Sequence, residues 1–298
     1  MEVIFHPAYL EHKQKGTHPE KPDRLRAVLH RLEKENLHND IIIPEKAKLE
    51  DILKTHSERY VDNINSGRSG YIDGGDTYLR DGTYDIAALA VGGALESLRL
   101  AKKGIKSVAL LRPPGHHSGR DYGGGFCYFN NVAIAAKMSN YERVAILDFD
   151  GHHGNGTSDI FYRESSVLYA SVHNHGIYPG TGDSYAIGEG DGEGFNVNLP
   201  FNTGVGDSTL TSAWNDLIEP ILVQYSPQII LVSLGTDAHY MDRMTGLSYS
   251  SQSFLKSAEN CIDLAEDICY GRISFILEGG YHLDALSEII AAIVTVDK

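Results

Sequence analysis

The sequence predicts a three-layer α/β fold, in which a central, mostly parallel β-sheet lies between helices. Short apolar, β-branched segments alternate along the chain with stretches of helical periodicity, and this alternation is typical of a parallel sheet covered on both faces. The chain has 298 residues, of which 42% are hydrophobic. A chain of this length and composition often buries one large core. We therefore expect a single domain over residues 1–298.

The individual elements follow from these patterns in order. Pro22 and the DRLRAVLHRLEKEN after it predict an N-terminal helix with proline in its first turn. Continuous apolar runs predict five buried strands, at Ser107–Leu111, Arg143–Phe149, Val167–Val172, Ile229–Leu234 and Ile273–Leu277. Helical spacing, often opened by Ser, Thr, Asn or Asp, predicts helices over Thr83–Lys102, Asn130–Met138, Ser208–Tyr225, Ser250–Ile268 and Leu283–Val294.

Composition excludes several classes of protein. The 26 basic and 40 acidic residues give a net charge of −14, which argues against direct nucleic-acid binding but is compatible with a cationic substrate. No apolar run reaches the roughly 18 residues of a membrane span, and the N-terminus lacks signal-peptide features. Cys127, Cys261 and Cys269 form no paired motif, so we expect free thiols. We expect a cytoplasmic protein without membrane contact. The sequence does not determine whether it forms an oligomer.

Polar clusters come directly after the predicted strands. In open parallel sheets, ligands bind beyond the carboxyl ends of the strands, where successive loops converge. We therefore expect clusters that are distant in sequence to meet at one site.

The first cluster follows the strand Arg143–Phe149 and contains Asp148, Asp150 and His152, spaced two apart. If the strand stays extended, all three side chains point to one side. Mixed Asp and His ligands without cysteine suit zinc in a catalytic site. The alternative is a capping aspartate with packed histidines.

A second carboxylate, Asp237, follows the strand Ile229–Leu234. Catalytic zinc typically keeps three protein ligands and one position for water, so Asp237 completes a possible three-ligand site. A helix cap or loop residue is the alternative.

Tandem histidines, His116 and His117, follow the strand Ser107–Leu111 among prolines and glycines. A histidine with a pKa near neutrality can take a proton from water and give one to a departing amine. A structural His-His pair is the alternative.

The last predicted strand is followed by Glu278-Gly-Gly-Tyr281-His282. The phenol of Tyr281, after a flexible turn, is suited to donate a hydrogen bond to an oxyanion. A half-buried tyrosine at a helix start is the alternative.

Together these clusters resemble the histone deacetylase superfamily, which includes acetylpolyamine amidohydrolases and acetoin-utilisation deacetylases. The similarity rests on RPPGHHSGRDYGGGFCYFNN (112–131), ILDFDGHHGNGTSDIFY (146–162), SVHNHGIYPGTGD (171–183), SLGTDAHYMDRMTGL (233–247) and LEGGYH (277–282). HPAYLEHKQKGTHPEKPDRL (6–25) resembles the family's N-terminal signature, so the likeness covers nearly the whole chain. It implies the arginase/deacetylase fold and hydrolysis of an acetyl amide to acetate and a free amine.

The resemblance also implies roles for individual residues. One zinc ion would be bound by Asp150, His152 and Asp237. His117 would act as general base and then acid, with His116 assisting electrostatically, and Tyr281 would polarise the acetyl carbonyl.

A structural K⁺ or Na⁺ site is implied as well. Asp148 would hydrogen-bond His116 and, with Ser171, Val172 and the backbone of Asp150 and His152, would match the family's monovalent-cation site.

The family's narrow acyl-chain tunnel would be lined here by Gly125, Phe126 and Tyr178, because two aromatic faces can sandwich a methylene chain. Met244 aligns with the tunnel mouth, and Asp76 with the rim carboxylate that fixes the substrate backbone.

Asn155 makes the chain class II-like, because other members carry Asp at that position. A neutral partner stabilises imidazolium less than a carboxylate does, so we expect a lower pKa for His117 than in Asp-bearing relatives. Tyrosine at position 281 accompanies full deacetylase activity in the family, so we expect a competent enzyme.

Several alternatives remain open from the sequence. The resemblance implies an N-acetylated cationic amine as substrate, which is a protein lysine, a polyamine or another small N-acetylated metabolite. The short loop Thr77–Thr83 and the non-acidic Met244 favour acyl-lysine. Arginase-like ureohydrolases share the fold but need two manganese ions and more ligands than this chain offers. A non-catalytic reader of acylated amines is the remaining candidate. Zinc and Fe²⁺ are not distinguished.

Overall fold

The computed structural model describes residues 1–37 and 41–296, and its centre is a parallel sheet. The described strands are β1 (Glu2–Ile4), β2 (Ile41–Ile42), β3 (Gly70–Tyr71), β4 (Tyr78–Leu79), β5 (Ser107–Ala109), β6 (Val144–Asp148), β7 (Val167–Asn174), β8 (Asn196–Phe201), β9 (Ile229–Leu234) and β10 (Ile273–Leu277). Eight of them form one sheet in the order β2-β1-β5-β10-β9-β6-β7-β8, and every pairing in it is parallel. Strands β3 and β4 form a separate antiparallel pair.

Helices pack on the sheet in two groups. The described α-helices are α1 (Asp23–Lys34), α2 (Leu49–Ile52), α3 (Glu58–Ile64), α4 (Thr83–Ala101), α5 (Asn131–Met138), α6 (Asn155–Phe161), α7 (Asp207–Ala213), α8 (Glu219–Tyr225), α9 (Ser251–Cys269) and α10 (Leu283–Thr295). Helices α4 and α5 pack together against the central strands, while α1, α9 and α10 form a second group. The predicted three-layer α/β architecture is confirmed. Among the described residues, no helix combines the length and apolarity needed to cross a membrane.

The predicted strands are all present, with some different ends. Every residue of β5, β6, β7, β9 and β10 is buried, which explains their continuous apolar sequences. Strand β5 ends two residues before the predicted Leu111, whose N–H bonds to Ala109 O at 3.1 Å and turns the chain. Strand β7 runs two residues beyond the predicted Val172.

One helix prediction is wrong. Ser208–Tyr225 is not one α-helix but α7, a π-helical turn over Trp214–Ile218, and α8. Pro220, in the first turn of α8, has no N–H for the helical ladder, and the N–H of Glu219 reaches back to Trp214 O. At the N-terminus, Pro22 is the N-cap of α1 and precedes the helix instead of lying inside its first turn.

Four neighbouring strands position the polar clusters. Strands β5, β10, β9 and β6 are adjacent and parallel, so their carboxyl ends meet at one edge of the sheet. Registers such as Asp148 opposite Ser233 bring the loops after β6 and β9 level with each other. The loops that follow these strands therefore converge on one site.

Candidate active site

A buried cluster of two carboxylates and one imidazole lies at this convergence. His152 Nδ1 is 3.1 Å from Asp150 Oδ1 and 2.9 Å from Asp237 Oδ2. All three residues are buried, and among the described residues this is the group whose ligand atoms lie close enough together to share a metal ion. The loops after β6 and β9 thus bring the three predicted metal ligands together.

Glycine backbone fixes the two carboxylates. The N–H of Gly279 donates to Asp150 Oδ2 at 2.8 Å, and the N–H of Gly151 donates to Asp237 Oδ1 at 2.8 Å. The other oxygen of each carboxylate faces His152. A Cβ at Gly279 would lie 2.5 Å from Asp150 Oδ2 and 2.6 Å from Asp237 Oδ2, so only glycine permits this approach. One nitrogen and two carboxylate oxygens without sulfur fit catalytic zinc.

The cluster stabilises a positive charge. Burial opposes protonation of His152, but the carboxylates of Asp237 and Asp150 outweigh it and raise its pKa to about 10. Burial and the adjacent Asp150 charge raise the pKa of Asp237. Two ionised carboxylates this close repel each other, and a metal ion between them would offset that repulsion.

Asp148 lies outside this cluster, which corrects the expectation of an extended strand. Strand β6 ends at Asp148, whose Oδ1 accepts the N–H of Asp150 at 3.1 Å and turns the chain. Its Oδ2 accepts hydrogen bonds from His116 Nδ1 at 3.1 Å and from the Tyr169 hydroxyl at 2.9 Å. Burial disfavours a charged His116, but Asp148 and Asp150 raise its pKa to about 10.

His117 has a different environment from its neighbour. Its Nδ1 lies 2.8 Å from Asn155 Oδ1. Burial, followed by the nearby His116 and His152, holds the pKa of His117 well below its usual range. His116 is therefore charged and His117 neutral. The neutral form is the one that a general base requires.

These side chains open onto a cavity of about 120 Å³. Its lining residues are Asp76, Pro114, His116, His117, Gly125, Phe126, His152, Tyr178, Met244, Gly279 and Tyr281. All five predicted substrate-binding residues lie in this wall. Tyr178 is 46% exposed and Met244 is 38% exposed, so they mark the mouth, whereas the histidines lie at the buried end. Pro114 and Gly279 were not predicted to line it.

At the mouth, Asp76 is joined to a second carboxylate. Partial burial, and then the hydrogen bond and charge of Asp73, raise the pKa of Asp76 to about 6. Thr77 donates its hydroxyl to Asp76 Oδ1 at 3.1 Å and accepts the N–H of Phe126 at 2.8 Å. Thr77 thus links the Asp76 carboxylate at the mouth to Phe126 in the cavity wall.

Tyr281 is held from two sides by residues that sequence reasoning missed. Burial raises the pKa of its phenol well above the usual value, so it stays a hydrogen-bond donor. The guanidinium of Arg24 lies 5.0 Å from the ring centre, and the carboxylate of Asp242 accepts the N–H of Tyr281 at 2.6 Å. Both lie within the motif segments that carried the resemblance, which was the available signal.

The predicted monovalent-cation residues are neighbours in the sheet. Asp148 is paired with Ser171 across β6 and β7. Ser171 Oγ lies 2.8 Å from His173 Nδ1. With Val172, they remain a predicted K⁺ or Na⁺ site.

Comparison with protein families gives one match over most of the chain. Residues 18–296 match the family described as histone deacetylase domain. The chain belongs to the histone deacetylase family. The described fold agrees with this membership, because the crystal structure of the HDA15 HD domain matches with a TM-score of 0.92 at 32% identity, over 99% of this chain and 90% of that one.

Two relatives of this histone deacetylase family member are an archaeal and a plant protein. A probable deacetylase of Archaeoglobus fulgidus is 40% identical over 293 residues, covering 95% of this chain and 81% of the relative. Histone deacetylase 14, chloroplastic, of Arabidopsis thaliana is 36% identical over 304 residues, covering 93% of this chain and 72% of the relative.

Proposed function

We propose that this chain is a zinc-dependent deacetylase that hydrolyses the acetyl amide of N-acetyl-lysine-type substrates. The supporting observation is the buried Asp150–His152–Asp237 cluster, whose His152 lines a cavity that also presents His117 and Tyr281. Metal ligands, a neutral base and a neutral phenol on one small cavity are the components of metal-assisted amide hydrolysis.

Asp150, His152 and Asp237 would hold the zinc ion, which would supply Lewis-acid polarisation of the acetyl carbonyl and a lowered pKa for a water molecule. His117, neutral at the buried end, removes the proton from the attacking water. The Tyr281 hydroxyl donates to the developing oxyanion. The proton on His117 then passes to the departing amine, and acetate and free amine leave.

His116 prepares His117 for this role. Its positive charge, maintained by Asp148 and Asp150, lies beside the His117 ring, with ring centres 4.0 Å apart. The charge lowers the pKa of His117 and adds to the positive potential facing the oxyanion.

The cavity suits an unbranched acyl-amine chain. Tyr178 and Phe126 supply aromatic faces between the mouth and the histidines, and Met244 places a non-acidic side chain at the mouth. We therefore favour acetyl-lysine in a polypeptide, with Asp76 at the rim accepting backbone N–H groups.

An acetylpolyamine substrate is the second candidate. The net charge of −14 and the carboxyl groups of Asp73 and Asp76 near the mouth favour a cationic amine of either kind. A binuclear ureohydrolase site is disfavoured because the cluster has three ligand residues. A non-catalytic protein that binds acylated amines is disfavoured because binding alone does not require His117 and Tyr281.

The experiment is acetate release by the zinc-loaded protein from an acetyl-lysine peptide and from N-acetylputrescine or N-acetylspermidine. Preference for the peptide supports the proposal, and preference for the polyamine reassigns the substrate. The cytoplasmic location expected from the sequence stays a prediction, since one similar plant relative is named chloroplastic.

A further inference from the structure

A chain of hydrogen bonds runs from the cavity to the protein surface behind His117. We propose that Tyr122 and Asp159 are positioning residues that fix the orientation of the Asn155 amide, and thereby select the His117 tautomer that serves as a base. The proposal rests on the proposed function, because it assigns a role within the same site.

The contacts form one continuous path. His117 Nδ1 lies 2.8 Å from Asn155 Oδ1, and Asn155 Nδ2 donates to the Tyr122 hydroxyl oxygen at 3.1 Å. The Tyr122 hydroxyl in turn donates to Asp159 Oδ2. His117 is buried, Asn155 is half-buried, Tyr122 is 36% exposed and Asp159 is exposed, so the path leads outward.

Asp159, at the surface end of the path, determines which group donates and which accepts in each of these hydrogen bonds. An ionised carboxylate only accepts hydrogen bonds, so the Tyr122 hydroxyl donates its single proton to Asp159. The hydroxyl oxygen then accepts, and the group that faces it at Asn155 must be the NH₂. The Asn155 carbonyl oxygen is consequently turned toward His117.

The orientation of the Asn155 amide determines which ring nitrogen of His117 carries the proton. Because Asn155 presents an acceptor, Nδ1 of His117 carries the proton, and Nε2 keeps its lone pair. A lone pair on Nε2 is what a general base needs to take a proton from water in the cavity.

Because position 155 is an asparagine, Tyr122 and Asp159 are needed to fix the orientation of its amide. An aspartate there offers only acceptors, so it selects the same tautomer without help. An asparagine is ambiguous, because rotation of its amide by half a turn presents NH₂ to His117 and favours the unproductive tautomer. Tyr122 and Asp159 remove that ambiguity.

Other charged groups face this path. His116, His152 and Asp150 act on His117 from the metal side. Near Tyr122, the Asp121 carboxylate accepts the hydroxyl hydrogen bond of Ser57 at 2.5 Å and lies 3.9 Å from Arg59. These groups do not contact the Asn155 amide in the described hydrogen-bond network, so Tyr122 is its orienting partner.

The first test is a double-mutant cycle on zinc-loaded protein. Tyr122→Phe removes the acceptor for the Asn155 NH₂, and we expect kcat/KM to fall about three- to tenfold with little change in KM, the loss typical of one neutral hydrogen bond. In the Asn155→Asp background the same Tyr122→Phe change should cost nothing, because the carboxylate needs no orientation. Equal losses in both backgrounds, or no loss in either, would overturn the proposal.

Two further variants sharpen the cycle. Asp159→Ala lets the Tyr122 hydroxyl donate to Asn155 instead, so it should also lower kcat/KM in the wild-type background alone. Tyr225→Phe is the matched control, since this partly buried hydroxyl donates to Ser165 O at 3.1 Å, at the opposite end of the sheet. A loss from Tyr225→Phe as large as that from Tyr122→Phe would remove the support.

A spectroscopic measurement keeps the proposal separate from the proposed function. In ¹⁵N-histidine-labelled, zinc-loaded protein, with the His117 signals assigned through a His117→Ala variant, the ring nitrogen shifts should show a proton on Nδ1, and Tyr122→Phe should give a mixture. An Nε2-protonated ring in the wild type would contradict the assignment. If no acetate is released from any substrate but the tautomers behave as expected, only the deacetylase function fails.

Discussion

The carboxylate of Asp242 holds the backbone of Tyr281: its Oδ2 accepts the N–H of Tyr281 at 2.6 Å and that of His282 at 2.9 Å. The same carboxylate accepts the N–H of Met244 at 3.1 Å through Oδ1. One buried side chain therefore connects the mouth of the cavity, the phenol at its closed end and the start of helix α10.

Asp242→Ala should reduce both turnover and stability. These partly buried N–H groups left without an acceptor cost at most about 1–3 kcal/mol each, and a displacement of Tyr281 by about 1 Å costs up to ~10²-fold in kcat. Steady-state kinetics and thermal unfolding measure the two effects. Asp207→Ala is the matched control, because Asp207 accepts the N–H of Ser250 at 2.8 Å at the start of α9. A loss of kcat no larger than in that control would contradict the link to Tyr281.

Tyr281→Phe should lower kcat by roughly 10²–10³-fold, the usual cost of losing an oxyanion donor. The ring and its contact with Arg24 are retained, so thermal stability and zinc content should stay close to wild type. Single-turnover kinetics measure the chemical step directly. Unchanged turnover would refute the role given to the phenol.

Asn155→Asp should move the acidic limb of the pH–rate profile to higher pH. Burial and the neighbouring histidines hold the pKa of His117 low, so we expect activity to persist below the usual histidine range. A carboxylate at position 155 stabilises the imidazolium and raises that pKa, so the base becomes protonated, and activity falls, at a higher pH than in the wild type. A limb that does not move in kcat/KM profiles would contradict this.

Metal content should follow the three-residue cluster. We expect one zinc per chain by elemental analysis and loss of acetate release after dialysis against a chelator. Asp237→Ala should abolish binding at the zinc concentrations that saturate the wild type, whereas Asp191→Ala, at an exposed carboxylate, should bind normally. Two divalent metal ions per wild-type chain would favour a binuclear centre and contradict the account.

Local sequence predicted five of the eight strands of the central sheet, β5, β6, β7, β9 and β10, because every residue in them is buried. Ile229–Leu234 and Ile273–Leu277 were predicted to the residue. Strands β1 and β2 have only three and two residues, and they were missed because their existence depends on pairing with β5 and with each other. The prediction of one helix over Ser208–Tyr225 was wrong because apolar spacing does not reveal a π-helical turn before Pro220.

The residues with a direct chemical role were predicted from their motifs, whereas residues that act through contacts between distant segments were missed although they lie within the same motifs. Asp242 lies 39 residues from Tyr281, and Arg24 reaches the carbonyl of Gly280 across 256 residues. A lone aspartate or arginine has no local pattern that distinguishes it from a solvated one. The predicted hydrogen bond between Asp148 and His116 is present, but the expected same-side arrangement with Asp150 and His152 is not, because the Asp148 carboxylate accepts the N–H of Asp150 where the strand ends.

The most direct test of the central claim is the simultaneous measurement of acetate and free amine released from an acetyl-lysine peptide by zinc-loaded protein. We predict equal amounts of the two products, formed over many turnovers and lost together in Asp237→Ala. A folded protein that binds one zinc per chain and yet releases neither product, from this peptide or from an acetylated polyamine, would contradict the deacetylase assignment.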